Sequence, residues 1–483
     1  MKASSNENKS SKRRRNKNKK QRAKNKNSKP IQSTKKNQVQ KILDKIKVDS
    51  IASKFNFTIR KKSITLPLFL MSFFSAVQSG RGFSYALWAE YLSLLAPKKK
   101  ATKSAVFKKV KKELVTSLQA VLEETLHIKL KTEMLTNYKG RTIFSPFGRV
   151  YLQDSSIVSL PDELKNYYSG STSKGIKKSS MRLQTIFDFI SGHFVRIDIN
   201  NFTDNDQKDS PGILKFVKKD DLVIRDLGYF VLRVFSQIAS KGAFFISRYH
   251  NGTNVYDLNG KKMELEKEFK RLDKKGIPQL DMDVLLGVKE QLECRLIAIK
   301  VPEPVAAERK RKARQNRDKR LNHSKAYYKK LEWAIYLTNV ERNVYSIVDV
   351  AKAYRLRWHI EIIYKGWKSH FNMAKHMPGL PNKKEITKKD IDRLKIRVDA
   401  IMLMQLIFAA LFMAHIYWTY LIKLYRQNAK LLSYLKVCAY VSEHFSVILE
   451  MSDDELMQQL ETHATYEKRK RKNTLELFLE LDL

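Results

Sequence analysis

Residues 354–368 read Tyr-Arg-Leu-Arg-Trp-His-Ile-Glu-Ile-Ile-Tyr-Lys-Gly-Trp-Lys. No proline interrupts them, and upstream Ser346 is followed three residues on by Asp349, the pattern of a capping box. One helix is therefore predicted from Ser346 to about Lys368. At about 100° per residue, Tyr354, Arg357, Glu361 and Lys368 fall within an arc of roughly 60°. Ile360, Ile363, Tyr364 and Trp367 fill the neighbouring arc and form an apolar face suited to packing on a sheet. The helix thus lines the edge of its buried face with a tyrosine, a carboxylate and two cations. On spacing alone this is equally a surface helix with Arg357 and Glu361 paired at i,i+4.

The segments before it supply the sheet. Val150–Leu160 is strand-like and ends at Pro161, while Arg182–Ile190 and His193–Ile199 form a hairpin about Ser191-Gly192. Leu222–Arg225 is a short apolar run ending at Asp226-Leu227-Gly228; Tyr229–Ser240 has helical period and Ala243–Tyr249 is a further strand. Charge-rich sequence then fills 251–330, with one clear strand at Arg295–Val301, before Glu332–Thr338 resumes the core pattern. Strands followed by strand–helix–strand indicate a mixed α/β sheet. Helices are expected from about 41 to 145, with starts at Thr65, Ser84 and Thr102 and a break at Pro97, and again from about 387 to 483. The two short helices around Lys98–Lys100 fit either a helix-turn-helix-like DNA module or an ordinary bundle.

Asp154 stands within the first strand run and Asp226 closes a later one. An acid in an apolar strand is costly without a partner such as a metal ion. Carboxylates suit hard divalent cations, and two such ions can clamp the attacking and leaving oxygens of a phosphoryl transfer. Asp188 and Asp198 also sit in strand runs, so composition does not by itself select the pair.

Charge indicates the partner. The 483 residues carry 94 Lys/Arg against 49 Asp/Glu, a formal net charge of +45. That disfavours a small-metabolite enzyme and points to a polyanion. The first 36 residues hold fifteen Lys/Arg and one acid, Glu7, which predicts a disordered basic arm over 1–40 and leaves +31 elsewhere. A second block, Glu308–Lys330, has eleven Lys/Arg against two acids, and reads either as a solvated helix face or as a DNA-contacting insert. A final basic cluster occupies Lys468–Lys472. Two cysteines, Cys294 and Cys438, exclude a disulfide framework and suit a reducing compartment. The uncharged run Ala400–Ile422 is long enough to cross a bilayer, but Gln405 and His415 interrupt it, and a buried core helix is expected. Charge alone would also fit an RNA-binding or ribosome-associated protein, although that reading gives no reason for the Asp/Asp/Glu arrangement.

The run Tyr354-x-x-Arg357-x-x-x-Glu361-x-x-x-x-x-x-Lys368 resembles the Y-R-E-K signature of DDE transposases of the bacterial insertion sequence four type. So do Asp154-Ser155-Ser156 and Asp226-Leu227-Gly228-Tyr229-Phe230, together with the order of elements. The resemblance implies an α/β fold: an RNase H-like mixed sheet with an inserted β-containing domain, flanked by N- and C-terminal helical domains. The divisions are 41–145 (helical, DNA-binding), 146–250 and 331–386 (catalytic core), 251–330 (insertion) and 387–483 (helical). It implies cleavage at transposon ends and strand transfer into target DNA, cut-and-paste with hairpin ends conceivable; the alternative is a domesticated, non-catalytic DNA-binding protein. Asp154, Asp226 and Glu361 would be the catalytic metal ligands for two Mg²⁺ ions, with Mn²⁺ as a substitute. Tyr354, Arg357 and Lys368 would hold phosphates. Trp358, beside Arg357, would either stack on an unpaired base or pack in the core, and Arg248 would either touch DNA or remain a surface charge. Leu227, where many relatives are polar or basic, departs from the family and makes DNA contact from that side chain doubtful. Double-stranded DNA as partner, no membrane, a homodimer across paired ends and a cytoplasmic, nucleoid-associated location complete the expectation.

Overall fold

In the computed structural model, the structure describes residues 43–57, 64–96, 100–127, 143–173, 175–315, 323–382, 384–428 and 430–467. The basic arm over 1–40 and the cluster Lys468–Lys472 lie outside these residues, as do Pro97, Lys98 and Lys99. Strand β1 (Val150–Leu160) is long and apolar at its start, where Val150, Tyr151 and Leu152 are buried. After β2 (Ser169–Ser173), β3 (Ile176–Asp188) runs antiparallel to β1, and β4 (His193–Asn201) antiparallel to β3. On its other side β1 is parallel to β5 (Leu222–Arg225), and β5 is parallel to β6 (Phe244–Arg248). The resulting order β4-β3-β1-β5-β6, three antiparallel strands joined to a parallel pair, is the expected RNase H-like core.

The sheet then continues. β7 (Val255–Tyr256) and β8 (Lys262–Met263) form a small hairpin, followed by β9 (Gln279–Leu286) and β10 (Leu292–Lys300). β11 (Trp333–Thr338) pairs antiparallel with both β6 and β10, so one sheet of 11 strands spans core and insert. The strands of 251–330 therefore extend the same sheet. β9 lies within the stretch that looks charge-rich in sequence; there Asp281 and Asp283 alternate with Leu280, Met282 and Val284, which is the period-2 signature of a half-buried strand.

The helices in chain order are α1 (Val48–Lys54), α2 (Leu66–Val77), α3 (Tyr85–Leu95), α4 (Lys103–Lys109) and α5 (Lys112–His127). Ser84 and Thr102 cap α3 and α4 as predicted, each accepting a backbone N–H three residues on. Leu232–Ser240 forms α6, Leu265–Lys274 α7, Glu303–Arg314 α8 and Lys325–Lys330 α9. The predicted long helix is two helices, α10 (Ile347–Arg355) and α11 (Trp358–Ser369). Last come α12 (Lys388–Phe412), α13 (Trp418–Asn428), α14 (Tyr434–Ile448) and α15 (Asp453–His463). A π-helical turn, Met413–Tyr417, joins α12 to α13, and the apolar run Ala400–Ile422 lies buried among α2, α5 and the sheet. One continuous apolar core contains the N-terminal helices, the C-terminal helices and one face of β1, β3 and β4. A second core on the opposite face holds α6, α7 and the inward side chains of β9–β11.

Candidate active site

Parallel pairing sets Gln153 beside Arg225, so the residues that follow them, Asp154 and Asp226, come level where the pairing of β1 with β5 ends, while β1 itself runs on against β3. Ligand sites of open α/β sheets lie at such carboxyl ends of parallel strands. Arg225 anchors this edge. It is fully buried over the Phe235 ring at 4.8 Å, and Nη1 donates to Gln153 Oε1 at 2.9 Å and to Ser210. That burial lowers its pKa to about 9.

The capping box starts α10: Ser346 Oγ accepts the Asp349 N–H, and the Asp349 carboxylate accepts the Ser346 N–H. The helix then tightens. Leu356, Arg357, His359 and Ile360 donate backbone N–H groups to Ala353, Tyr354, Leu356 and Arg357, each three residues back. Three-residue hydrogen bonds advance about 120° per residue, so side chains at i and i+3 eclipse. This is why the predicted helix divides, and it brings the Arg357 guanidinium within 6.0 Å of the Tyr354 ring. No proline or glycine at 354–360 signals the change.

Arg357 is the centre of the site. Nη2 lies 2.5 Å from Glu361 Oε1, Nη1 3.8 Å from Asp154 Oδ2, and Nε 3.8 Å from Asp226 Oδ1. Side-chain exposure falls from 46% at Asp226 and 35% at Glu361 to 13% at Asp154 and Arg357, so the three carboxylates range from solvent inward. Burial is the main cause that pushes Asp154 up to about 7; the Ser155 N–H at 2.8 Å and Arg357 oppose it, while Asp226 and Glu361 add to it. Burial alone would lower Arg357, but Asp226, Tyr354 and Glu361 outweigh it and hold its pKa above the usual guanidinium range. Tyr354, largely buried against the Tyr336 ring at 5.4 Å, is pushed up to about 12, so it is a neutral hydrogen-bond donor at physiological pH.

Of the sequence-predicted residues, the structure brings Asp154, Asp226, Tyr354, Arg357 and Glu361 together. Lys368 is exposed two turns beyond Glu361 on α11 and makes no ion pair with the site. Trp358 is 57% exposed, which removes the core-packing reading. Arg248 lies over the Tyr336 ring at 5.2 Å, one ring removed from Tyr354. The competing acids are accounted for elsewhere. Asp188 is fully buried and accepts from Arg149, Ser191 and the Ile190 N–H, and Asp198 pairs with Arg196.

The supporting polar groups escaped the sequence reading. Tyr364 Oη lies 2.5 Å from Thr185 Oγ1, which donates to the Asp154 carbonyl at 3.3 Å and so ties α11 to β1. Asp206 accepts from Ser155 Oγ at 2.7 Å and Arg182 at 2.9 Å, and its carboxylate lies against Gly228, where a Cβ would be 2.6 Å away. It therefore touches the residue after Asp154 on β1 and the turn after Asp226. Asp206 gave no sequence signal, since it opens a single helical turn, Asp206–Asp209, within a uniformly polar stretch.

Among the described residues no three potential ligands are drawn together closely enough to enclose an ion. The donor set nevertheless fits a hard divalent cation: three carboxylates from three elements already converge on one positive group.

Residues 145–385, about half of the chain, match the family described as transposase DDE domain. A transposase for insertion sequence element IS1151 of Clostridium perfringens is 28% identical over 363 residues, covering 69% of this chain and 73% of its own length. Transposases for IS231F and IS231B, from Bacillus thuringiensis subsp. israelensis and subsp. berliner, are each 27% identical over 255 residues, 49% of this chain. The chain spans about half (53%) of the length of these two relatives. A cryo-EM structure of a piggyBac transposase synaptic complex with hairpin DNA aligns over 87% of this chain and 84% of that one, with TM-score 0.38 and 8% identity. The DDE-domain match coincides with the segment that carries Asp154, Asp226 and Glu361, and the chain belongs to the DDE transposases of the insertion sequence four type, enzymes that act on DNA.

Proposed function

We propose that this chain cleaves DNA at transposon ends in a metal-dependent reaction and joins the freed 3′ ends to target DNA, by a cut-and-paste route that can pass through hairpin ends. The observation that carries the proposal is the convergence of Asp154, Asp226 and Glu361, from β1, the end of β5 and α11, on Arg357 within 3.8 Å. These carboxylates would hold two Mg²⁺ ions, or Mn²⁺ in their place. When bound, such ions supply Lewis-acid polarisation of a phosphate and a nucleophilic oxygen at neutral pH.

The chain's own residues do the rest. Arg357 would exchange carboxylate partners for the scissile phosphate, where its planar fork suits two phosphate oxygens. Tyr354, kept protonated, would donate to a phosphate oxygen. Lys368 would hold a phosphate farther along the strand as a point charge. Trp358, exposed beside Arg357, would stack on an unpaired base. In hydrolysis, water attacks phosphorus and the 3′ oxygen of the neighbouring nucleotide leaves; in joining, a 3′-hydroxyl replaces the water. Two ends must be handled together, so a homodimer would act, in the cytoplasm at the nucleoid.

The test is nicking of the element's terminal repeats by purified protein with and without Mg²⁺. The proposal requires cleavage only with the ion, and its loss in Asp226→Ala and Glu361→Ala; equal nicking by either variant would sink the site assignment.

A further inference from the structure

The structure separates the cations of the basic insert by what each one touches. Lys310 pairs with Glu332 at 2.7 Å, Arg311 and Lys312 pair with Glu308 at 2.7 and 3.5 Å, and Lys329 bridges Asp273 and Glu332. Their charges are largely cancelled. Four nearby cations are instead held by ring faces or backbone carbonyls. Arg248 lies over Tyr336, Arg314 over Tyr328 at 5.8 Å and Lys330 over Tyr249 at 5.9 Å. Arg309 donates from Nη1 to the carbonyls of Leu331 and Trp333 at 3.3 and 3.2 Å. Ring faces and carbonyls fix a cation in position without neutralising it.

These four are also contiguous. Arg248 lies close enough to Arg309 to act on its charge, and Arg309 is driven down in pKa first by burial and then by Arg248. Holding two guanidiniums together without an acid is unfavourable until an anion joins them. Tyr336 is the cross-strand neighbour of Arg248 and touches Tyr354, which leads to Arg357. Lys330 stands beside Tyr249 and Asn251, immediately after Arg248 in sequence.

We propose that Arg248, Arg309, Arg314 and Lys330 form a strip that binds the sugar-phosphate backbone of duplex DNA as it leaves the active site, so that the insert is part of the DNA-binding surface. The inference rests on the transposase reading. The strip is defined by cations with ring or carbonyl partners, and the carboxylate-paired cations around it are excluded.

The experiment measures binding of a generic duplex to the full chain by fluorescence anisotropy over a salt series without divalent metal. Each lost phosphate contact lowers the slope of log K against log salt by about 0.9. The triple variant Arg309→Gln/Arg314→Gln/Lys330→Gln should lose between two and three units of slope. Arg314→Gln/Lys330→Gln, which spares the half-buried Arg309 and its carbonyl bonds, should lose close to two. Lys310→Gln/Arg311→Gln/Lys312→Gln removes the same formal charge from carboxylate-paired positions and should leave the slope nearly unchanged. An unchanged slope in the first two variants, or an equal fall in all three, overturns the strip. Mg²⁺-dependent cleavage is assayed in parallel. Intact cleavage with unaltered slopes would remove the strip alone, whereas a wild-type chain that never cuts would remove the transposase reading and leave the slopes to be judged by themselves.

Discussion

Gly366 offers a steric test of how firmly the helix that carries Glu361 is held. It lies on α11 five residues after Glu361 and faces α14. A Cβ there would stand 2.6 Å from Tyr434 Cε1, 2.9 Å from Cys438 Sγ and 3.3 Å from Tyr434 Cδ1. Ordinary contact begins at 3.4 Å, so Gly366→Ala requires about 0.8 Å of separation. Tyr434 and Cys438 are both fully buried, so neither can swing into solvent. Overpacking of this kind costs about 1–3 kcal/mol, and the better helix propensity of alanine returns about 1 kcal/mol. We expect a net loss of up to about 2 kcal/mol in urea unfolding. The chemical effect should exceed the structural one. If α11 moves off α14, Arg357 and Glu361 shift against Asp154, and a misplacement near 1 Å costs on the order of 100-fold in rate. Cleavage by the folded variant should fall tenfold to a hundredfold by that measure. Adding Tyr434→Leu should restore part of both losses, with a double-mutant coupling of about 1 kcal/mol. A Gly366→Ala protein with an unchanged urea midpoint and full cleavage, or strict additivity with Tyr434→Leu, would refute the reasoning.

Three further outcomes are expected. His415, in the π-helical turn, has its pKa lowered to about 4, by burial first and Lys45 second. Because the folded value lies below the unfolded one, stability is present above about pH 6.5 and is lost as pH falls toward 4, by about 2 kcal/mol at pH 5; His359, lowered to about 4 by burial, acts in the same window, so His415→Leu should reduce the slope of urea midpoints without abolishing it, and a slope matching wild type would exclude His415 as a source. Trp358→Ala should leave stability within about 0.5 kcal/mol because the ring is exposed, yet weaken binding to DNA ends with unpaired bases by about 1–3 kcal/mol; equal binding would remove Trp358 from DNA recognition. Tyr364→Phe deletes the hydroxyl bonded to Thr185 and should cost about 1 kcal/mol of stability with slower cleavage, since the link between α11 and the Asp154 backbone is lost; unchanged cleavage would make that bond merely structural.

The two strand acids and the helix glutamate were legible because each breaks a local rule: Asp154 interrupts a strand, Asp226 closes one, and Glu361 borders an apolar helix face. The buried set Ile360, Ile363, Tyr364 and Trp367 followed from periodicity and is buried as expected. What escaped was set by tertiary contact. The split between α10 and α11 arises at Leu356-Arg357, where a tightening of backbone hydrogen bonds has no proline or glycine to announce it. β9 lies within the charge-rich stretch, and the ion pairs of Asp281 and Asp283 with Arg295 and Arg342 appear only once β9, β10 and the loop after β11 are adjacent. Asp206 lies 52 residues from Asp154 in sequence, and no local pattern connects the two.

The position of Arg357 explains how so acidic a site exists in so basic a chain. Three carboxylates against one guanidinium leave a formal −2 at the site, in a protein of +45. Asp154 bears most of that strain, since it is the most buried of the three and is driven up to about 7. A phosphate arriving unaided would meet this negative charge, and Arg357 could serve the phosphate only by abandoning the acids. Divalent cations, if held by these carboxylates, would resolve both difficulties: they would replace the counter-charge and leave the guanidinium to the phosphate. The surrounding positive charge then draws the polyanion to a surface whose centre would otherwise repel it. It follows that Arg357→Gln should weaken cleavage far more than duplex binding, since the variant keeps the attracting field and loses only the phosphate fork. Equal loss of both would place Arg357 among the general DNA-binding cations.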